Sequence, residues 1–460
     1  MTEFYESYIG TSQKERQDML DYLNKSSIDE LFSEIPESIY LKEPLTLPGP
    51  YSESELSRLF ATIASKSKNP SSVVSFVGGG LKEQYIPAMI EELMRRGELY
   101  TSYTPYQPEI SQGMLQILFE YQSMVAELLD MEVVNASMYD WASAVGEVLL
   151  VMCRITRRKR VILAGPISPK RIAVAKSYLE PSGHEIIIIN EDGYLALDHL
   201  SKIIEEEKSL PAKNQTIAGI YFEVPSYYGT FPDQPQSLAD MIHDIGGLVS
   251  VGVDPISLGI IEPPSHYGAD FAVGEGQLLG NAINTGGPLL GILAAKYDKK
   301  WIRQLPGRLI GKTKELNSEL PGYCITLSTR EQHIRRDKAT SNICTNESIT
   351  AVNAAIYLAA LGKQGIIELA QNLMDKAHYL STELNNLDGV TSAVYEPFFN
   401  EFVVKFENIS HESLEEKCVK SNYFPGIPVE GDGCLRLFSV SEVHSKDNLD
   451  NFVTFIKEVL

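Results

Sequence analysis

No stretch of about 18 consecutive apolar residues occurs in this sequence, so it lacks a segment able to cross a bilayer as a helix. The opening residues MTEFYESYIGTSQKERQDML likewise hold no apolar run suited to a signal peptide, and the expectation is a cytoplasmic protein. Cysteine is scarce. Cys153, Cys324, Cys344, Cys418 and Cys434 are scattered, odd in number and in no CxxC spacing, which argues against disulfides and against a zinc or other metal site. Positive charge is short as well: 40 Lys and Arg stand against 61 Asp and Glu, a net charge of −21. So acidic a surface repels phosphate backbones and anionic lipid, which disfavours nucleic-acid and membrane-surface partners. Neither GxGxxG nor GxxxxGK[ST] occurs, leaving a dinucleotide or P-loop site without support.

What is present is ordinary globular composition, 43% apolar and 22% charged over 460 residues, enough for two folded units and an extension. Residues 1–65 read as short helices joined by polar turns. In SSIDELF, Ser27 is placed to cap a helix with Glu30 reaching back three residues, and the prolines of EPLTLPGPYS favour an extended arm. Such an arm wraps a neighbour or lies on its own chain. Across 66–320 the pattern is α/β: RVILAG (160–165), HEIIIIN (184–190), TIAGIYFEV (216–224), GGLVSVGVD (246–254) and DFAVGE (270–275) are short Val- and Ile-rich runs. Helix-forming segments such as SPKRIAVAKSYLE, ALDHLSKIIEEE and QSLADMIHDIG separate the first four. Strand–helix alternation with near-continuous apolar strands predicts a mainly parallel sheet covered on both faces, with ligands beyond the strands' carboxyl ends. Across 321–460 the rhythm becomes α+β, with helices SITAVNAAIYLAALG and GIIELAQNLMDKAHYLSTELNN, isolated strands FFNEFVVKFE and CLRLFSVS, and a closing helix KDNLDNFVTFIKEVL.

Four stretches could carry chemistry. SFVGGGLKEQYIP (75–87) places three glycines after an apolar run, either for a turn at positive φ or for a backbone that approaches a ligand or partner closely. YTSYTPYQPEISQG (100–113) gathers three tyrosines on a proline-stiffened stretch, as a packed surface loop or as an interface or pocket wall. NASMYDWASAVGEVLL (135–150) starts a helix whose free N–H groups, near Ser143, could hold a phosphate; Asp140 would repel one and serves equally as the helix cap. STREQHIRRDKATSNICTN (328–346) clusters Arg330, His333, Arg335, Arg336 and Lys338, as a solvated helix face with a Glu331–Arg335 pair or as a carboxylate-binding surface.

Taken together, SFVGGG, YTPYQPEISQGMLQILFEYQ, NASMYDWASA, RQLPGRLIGKT and REQHIRRDKATSNICTN resemble the motifs of glycine decarboxylase, the pyridoxal-phosphate P-protein of the glycine cleavage system. Within that family they resemble the first (alpha) chain of its two-chain form. The resemblance implies a type I pyridoxal-phosphate, aspartate-aminotransferase-like fold, with a seven-stranded-type sheet in the large domain and a smaller α+β domain. It implies glycine plus lipoylated H-protein giving CO2 and aminomethylated H-protein, in an assembly, α2β2, with a beta subunit. In that fold a lysine bonded to the cofactor follows a strand late in the large domain. Here ADFAVGEGQLLGNAINTGGPLLGIL (269–293) contains no lysine, and Leu278, give or take one position, stands in its place. Asp254, followed by Pro255, lies near the strand end that carries the catalytic chain's pyridine-nitrogen aspartate, but a residue or two out of register. Leucine supplies no amine for a Schiff base, so the covalent cofactor is expected on the partner chain. Motif position then makes Tyr103, Tyr106, Gln107 and Tyr139 walls of a shared pocket, and Thr345 and Asn346 contacts near the partner's cofactor phosphate. Two alternatives remain open: an independent enzyme using Lys296 or Lys312, and a non-catalytic scaffold.

Overall fold

The computed structural model describes residues 10–43, 45–68, 72–190, 195–284, 286–314, 316, 318–343, 347–393, 397–431 and 433–460. They fall into two compact units, Met1–Lys68 and Asn69–Leu460. In the first, the helices Gln13–Tyr22 and Glu53–Ala64 each start with a capping box, Ser12 with Glu15 and Ser52 with Glu55. The box expected at Ser27 does not form. Ser27 precedes a 3-10 turn without capping it, and Ser26 instead bonds the Glu30 carboxylate, because a turn this tight brings Glu30 back one residue further. Leu20 is the only buried residue of this unit among those described, while Met19, Leu23, Phe32 and Phe60 are exposed.

The second unit is built on a seven-stranded sheet. Its strands are β1 (Val133–Val134), β2 (Arg160–Ala164), β3 (Glu185–Ile189), β4 (Ile217–Val224), β5 (Leu248–Val253), β6 (Phe271–Glu275) and β7 (Gly291–Ala295), in the order β1-β7-β6-β5-β4-β2-β3. The run from β6 to β3 is parallel, and β7 and β1 are antiparallel additions. Every residue of β4, β5 and β6 is buried, which is why these strands read as unbroken apolar runs. Alternate side chains enter two cores. Ile162, Val249 and Val251 face the helices Gln112–Leu129, Leu197–Ser209, Pro235–His243 and the first half of Ser348–Asn385. Val161, Leu163, Phe271 and Val273 face the helices Trp141–Thr156 and Pro169–Leu179.

A four-stranded antiparallel sheet follows, in the order Val390–Ser392, Glu401–Phe406, Cys434–Ser439, Ile427–Pro428. Phe402, Val404, Phe406 and Phe438 pack it against the helices His411–Lys420 and Lys446–Val459. The long helix Ser348–Asn385 kinks at Gly362, whose φ is 60°, so the two helices expected from sequence join there. Its first half lies in the large core and its second half, with Ala377, Leu380 and Leu384, in the small one. The strand Val74–Ser75 pairs with Tyr423–Phe424, and Phe76 enters the small core. The described part of this unit therefore begins in a two-stranded parallel pair beside the small core, then crosses residues 78–82 to the carboxyl ends of the parallel strands. No helix among the described residues is long and apolar enough to cross a membrane.

Candidate functional site

At the carboxyl ends of the parallel strands, Glu223 sits near the end of β4, Asp254 directly follows β5, and Glu275 ends β6, with Gln277 and Leu278 just beyond. The Gly78–Gly80 run delivers Lys82 to this place. Gly79 and Gly80 have φ of 90° and 116°, as the turn reading expects, and a Cβ at Gly78 would lie 2.2 Å from Glu401 Oε1, a close approach to a side chain of the same molecule rather than to a ligand or partner. Lys82 Nζ donates to Asp254 Oδ2 at 2.7 Å and to Asn400 Oδ1 at 2.8 Å, and lies 3.5 Å from Glu401 Oε2. Burial works against its charge, but Asp254 and Glu401 outweigh burial and hold the ammonium above its usual range.

Beside this cluster lies a second buried ion pair. Arg171 grips Glu223 through two parallel bonds of 2.7 Å, and its guanidinium stacks 4.0 Å from the Trp141 ring. Trp141 is fixed in turn, its indole N–H donating to Tyr221 at 3.0 Å and Tyr221 donating to Glu223 at 2.8 Å. The indole and the Tyr221 hydroxyl pack this close to β5 because residue 252 is glycine; a Cβ there would sit 2.3 Å from the Tyr221 hydroxyl and 3.0 Å from Trp141 Cζ2. The carboxyl of Glu275 accepts backbone N–H bonds from Trp141, Gln277 and Leu290, and burial pushes it up to about 7.

Leu278 is buried in the large core, and Gln277 is tied to Lys82 and Asn281 by backbone-directed bonds. Lys296 follows β7, which runs antiparallel, and so sits beside Asp270 at the amino ends of the parallel strands. Lys312 is exposed on the hairpin Leu309–Lys314/Pro321–Thr326. Neither reaches the cleft. Among the described residues the lysine that does, Lys82, lies within a stretch that the sequence marked for its glycines. Arg171 had a visible signal: with Ala175 and Leu179 it forms the buried i, i+4, i+8 stripe of its helix, where a charge is out of place.

Pyridoxal phosphate does not fit this chain's own cleft. The pyridine nitrogen wants a free carboxylate, and Asp254 is engaged by Lys82 and by Ile256 N–H. A planar ring wants an open aromatic face, and Arg171 covers that of Trp141. A phosphate wants the free start of the helix Trp141–Thr156, and the Asp140 carboxylate occupies it, bonding Ser143 N and Oγ at 2.6 and 2.8 Å. The space left among Lys82, Asp254, Leu278 and Asn400 is about 10 Å³, room for about one water.

The tyrosine stretch begins inside the short helix Gly97–Thr101, which contains Tyr100, and the loop follows. Tyr106 is 58% exposed, accepts a 2.9 Å bond from Arg308 and stands edge-on to His333. Gln107 is exposed; Tyr103 and Tyr139 are half-buried, and burial and then Glu347 raise the Tyr103 hydroxyl. Arg308, Tyr103, Tyr139 and Glu347 thus form one neighbourhood, and nothing local in RQLPGRLIGKT marks Arg308 as part of it. The basic cluster divides. Arg330 is buried and bonds the carbonyls of Leu305, Gly307 and Leu327, so it staples backbone rather than binding an anion. Arg335, Arg336 and Lys338 are exposed on turns too short to form a helix face, and Glu331 faces His333 at 3.5 Å instead of pairing with Arg335. Thr345 and Asn346 lie outside the described residues.

Solved structures at low identity match this architecture: Lactobacillus brevis glutamate decarboxylase (TM-score 0.66, 14% identity, 92% of this chain and 95% of that one) and a Burkholderia pseudomallei sphingosine-1-phosphate lyase (0.64, 12%, 91% and 92%). The fold is that of the type I pyridoxal-phosphate-dependent enzymes, as the resemblance implied. A glycine decarboxylase (P-protein) of the glycine cleavage system, in inhibitor-bound form, superposes with TM-score 0.85 at 37% identity over 98% of this chain and 99% of that one. The family described as "Glycine cleavage system P-protein" matches residues 6–456, and the chain belongs to it. Relatives named "Probable glycine dehydrogenase (decarboxylating) subunit 1" include those of Chlorobium phaeobacteroides, 42% identical over 98% of this chain and 99% of that protein, and Moorella thermoacetica, 40% identical over 99% and 100%.

Proposed function

We propose that the chain is subunit 1 of a two-chain glycine dehydrogenase (decarboxylating). With a second, catalytic subunit it releases CO2 from glycine and passes the aminomethyl group to the lipoyl arm of H-protein, in the cytoplasm and as an α2β2 assembly. Pyridoxal phosphate, held covalently by the second subunit, supplies the electron sink for loss of CO2. The present chain contributes a wall. Tyr103, Tyr106 and Tyr139, with Gln107, line the partner's pocket, keep water from the departing carboxylate and orient it with hydroxyl groups. Arg308 fixes Tyr106 by its hydrogen bond and by lying 5.0 Å from the ring. Thr345 and Asn346, by motif position, are proposed as contacts of the partner's cofactor phosphate.

The observation that carries this reading is a pairing of a closed cleft with an open loop. Among the described residues, Gln277, Leu278 and the Lys82–Asp254 pair leave no free amine at the strand ends, while Tyr100, Tyr106 and Ile110 stay exposed. Co-purification with the second subunit tests it. Cofactor absorbance and glycine–bicarbonate exchange are expected from the pair and from neither spectrum nor assay of this chain alone. Exchange by the isolated chain at the rate of the pair refutes the assignment.

A further inference from the structure

We infer that Lys82 and Arg171 are a permanent substitute for the cofactor in this chain: they occupy its place, neutralise the carboxylates left there and lock the C-terminal sheet onto the strand ends. The inference goes beyond the missing lysine. A chain that had merely lost an amine would keep an open cleft, a free aspartate and a bare helix start. Here each is filled by a side chain of the same molecule.

The charges explain why filling was required. Asp254, Glu223 and Glu401 converge at 6%, 0% and 10% side-chain exposure, and uncompensated carboxylates at that depth are costly. Lys82 meets two of them and Arg171 the third. The Lys82 ammonium also spans two sheets: Asp254 follows β5 of the large sheet, whereas Glu401 starts a central strand of the small one and Asn400 directly precedes it. Glu401 Oε1 accepts from Gly79 N at 2.6 Å and Asn400 Nδ2 donates to Val440 O at 3.1 Å, so the ammonium's partners are themselves fixed. Arg171, clamped between Glu223 and the Trp141 face, takes the stacking surface. The cleft is a packed joint, and replacing Gln277 or Leu278 by lysine would not reopen it.

Chemical labelling of the full two-chain protein tests this. An ion-paired, buried ammonium is not a nucleophile, so acetylation of Lys82 followed by peptide mass analysis should run at least 100-fold slower than that of the exposed Lys299 and Lys300 in the same sample. Pyridoxal phosphate with borohydride should leave Lys82 unmodified, and should also leave residue 278 unmodified in Leu278→Lys. In Asp254→Asn, acetylation of Lys82 should rise at least tenfold. Lys82 labelling in the unaltered protein as fast as Lys299, or cofactor trapped on Lys82 or on residue 278 of the variant, overturns the inference. The labelling of unaltered protein needs no variant to fold, and its readout is independent of turnover, so an inactive complex would refute the subunit assignment while leaving this one standing.

Discussion

The hydroxyl of Tyr106 accepts a hydrogen bond from Arg308 Nη2 at 2.9 Å, although 202 residues separate them in the chain. The guanidinium also lies over the same ring, 5.0 Å from its centre, so an exposed phenol is held from its edge and its face. On the proposed reading, this holds the ring ready for the partner's pocket before the two chains meet.

Removing that hydroxyl should therefore be felt in the assembled complex. Tyr106→Phe and Tyr103→Phe are each expected to lower glycine–bicarbonate exchange by about tenfold, or ~1.4 kcal/mol, with assembly unchanged on gel filtration. Unchanged exchange in the double variant would favour the scaffold reading.

Glu275 makes folding depend on pH. Its carboxyl is pushed up to about 7 by burial, against 4.5 when unfolded. Between those values the folded chain retains a proton that the unfolded chain has released, so this group's contribution is full below 4.5 and is lost as pH rises through 7. The size is on the order of 3 kcal/mol. Urea midpoints measured from about pH 5 to 8 should fall for the unaltered chain relative to Glu275→Gln, which has nothing to titrate there; parallel curves would contradict the assignment.

Arg171→Met strands Glu223 in a dry site and should cost about 3–5 kcal/mol in urea unfolding. Adding Glu223→Gln should recover part of that loss. Additive costs would mean that the two side chains do not act as a pair.

Gly252→Ala should destabilise by about 2–3 kcal/mol. The new methyl would meet the Tyr221 hydroxyl, and that hydroxyl is held at both ends by Trp141 and Glu223, so it has nowhere to go. A melting point unchanged from the parent would show that the indole can lift.

The strands of the large sheet were legible because burial on both faces writes itself into consecutive residues: IAGIYFEV and LVSVGV need no partner to be recognised. The helix cap at Asp140 was legible for the same local reason, since it acts on Ser143 three residues away. The tyrosine loop was visible as a composition, but not its hold on Arg308. Lys82 was opaque. Its partners Asp254 and Asn400 lie 172 and 318 residues distant, and no pattern near residue 82 tells a buried ammonium from a solvated one. Ser26 was misread in favour of Ser27 because the sequence allowed two spacings and only the tightness of the turn chose between them.

The closed joint between Lys82 and Asp254 also bears on heredity. A lost amine can be regained by changing one codon. Here an added amine would not be enough: removing Lys82 alone would strand Asp254 and Glu401, and removing Arg171 alone would strand Glu223, so the joint opens only when several side chains change together.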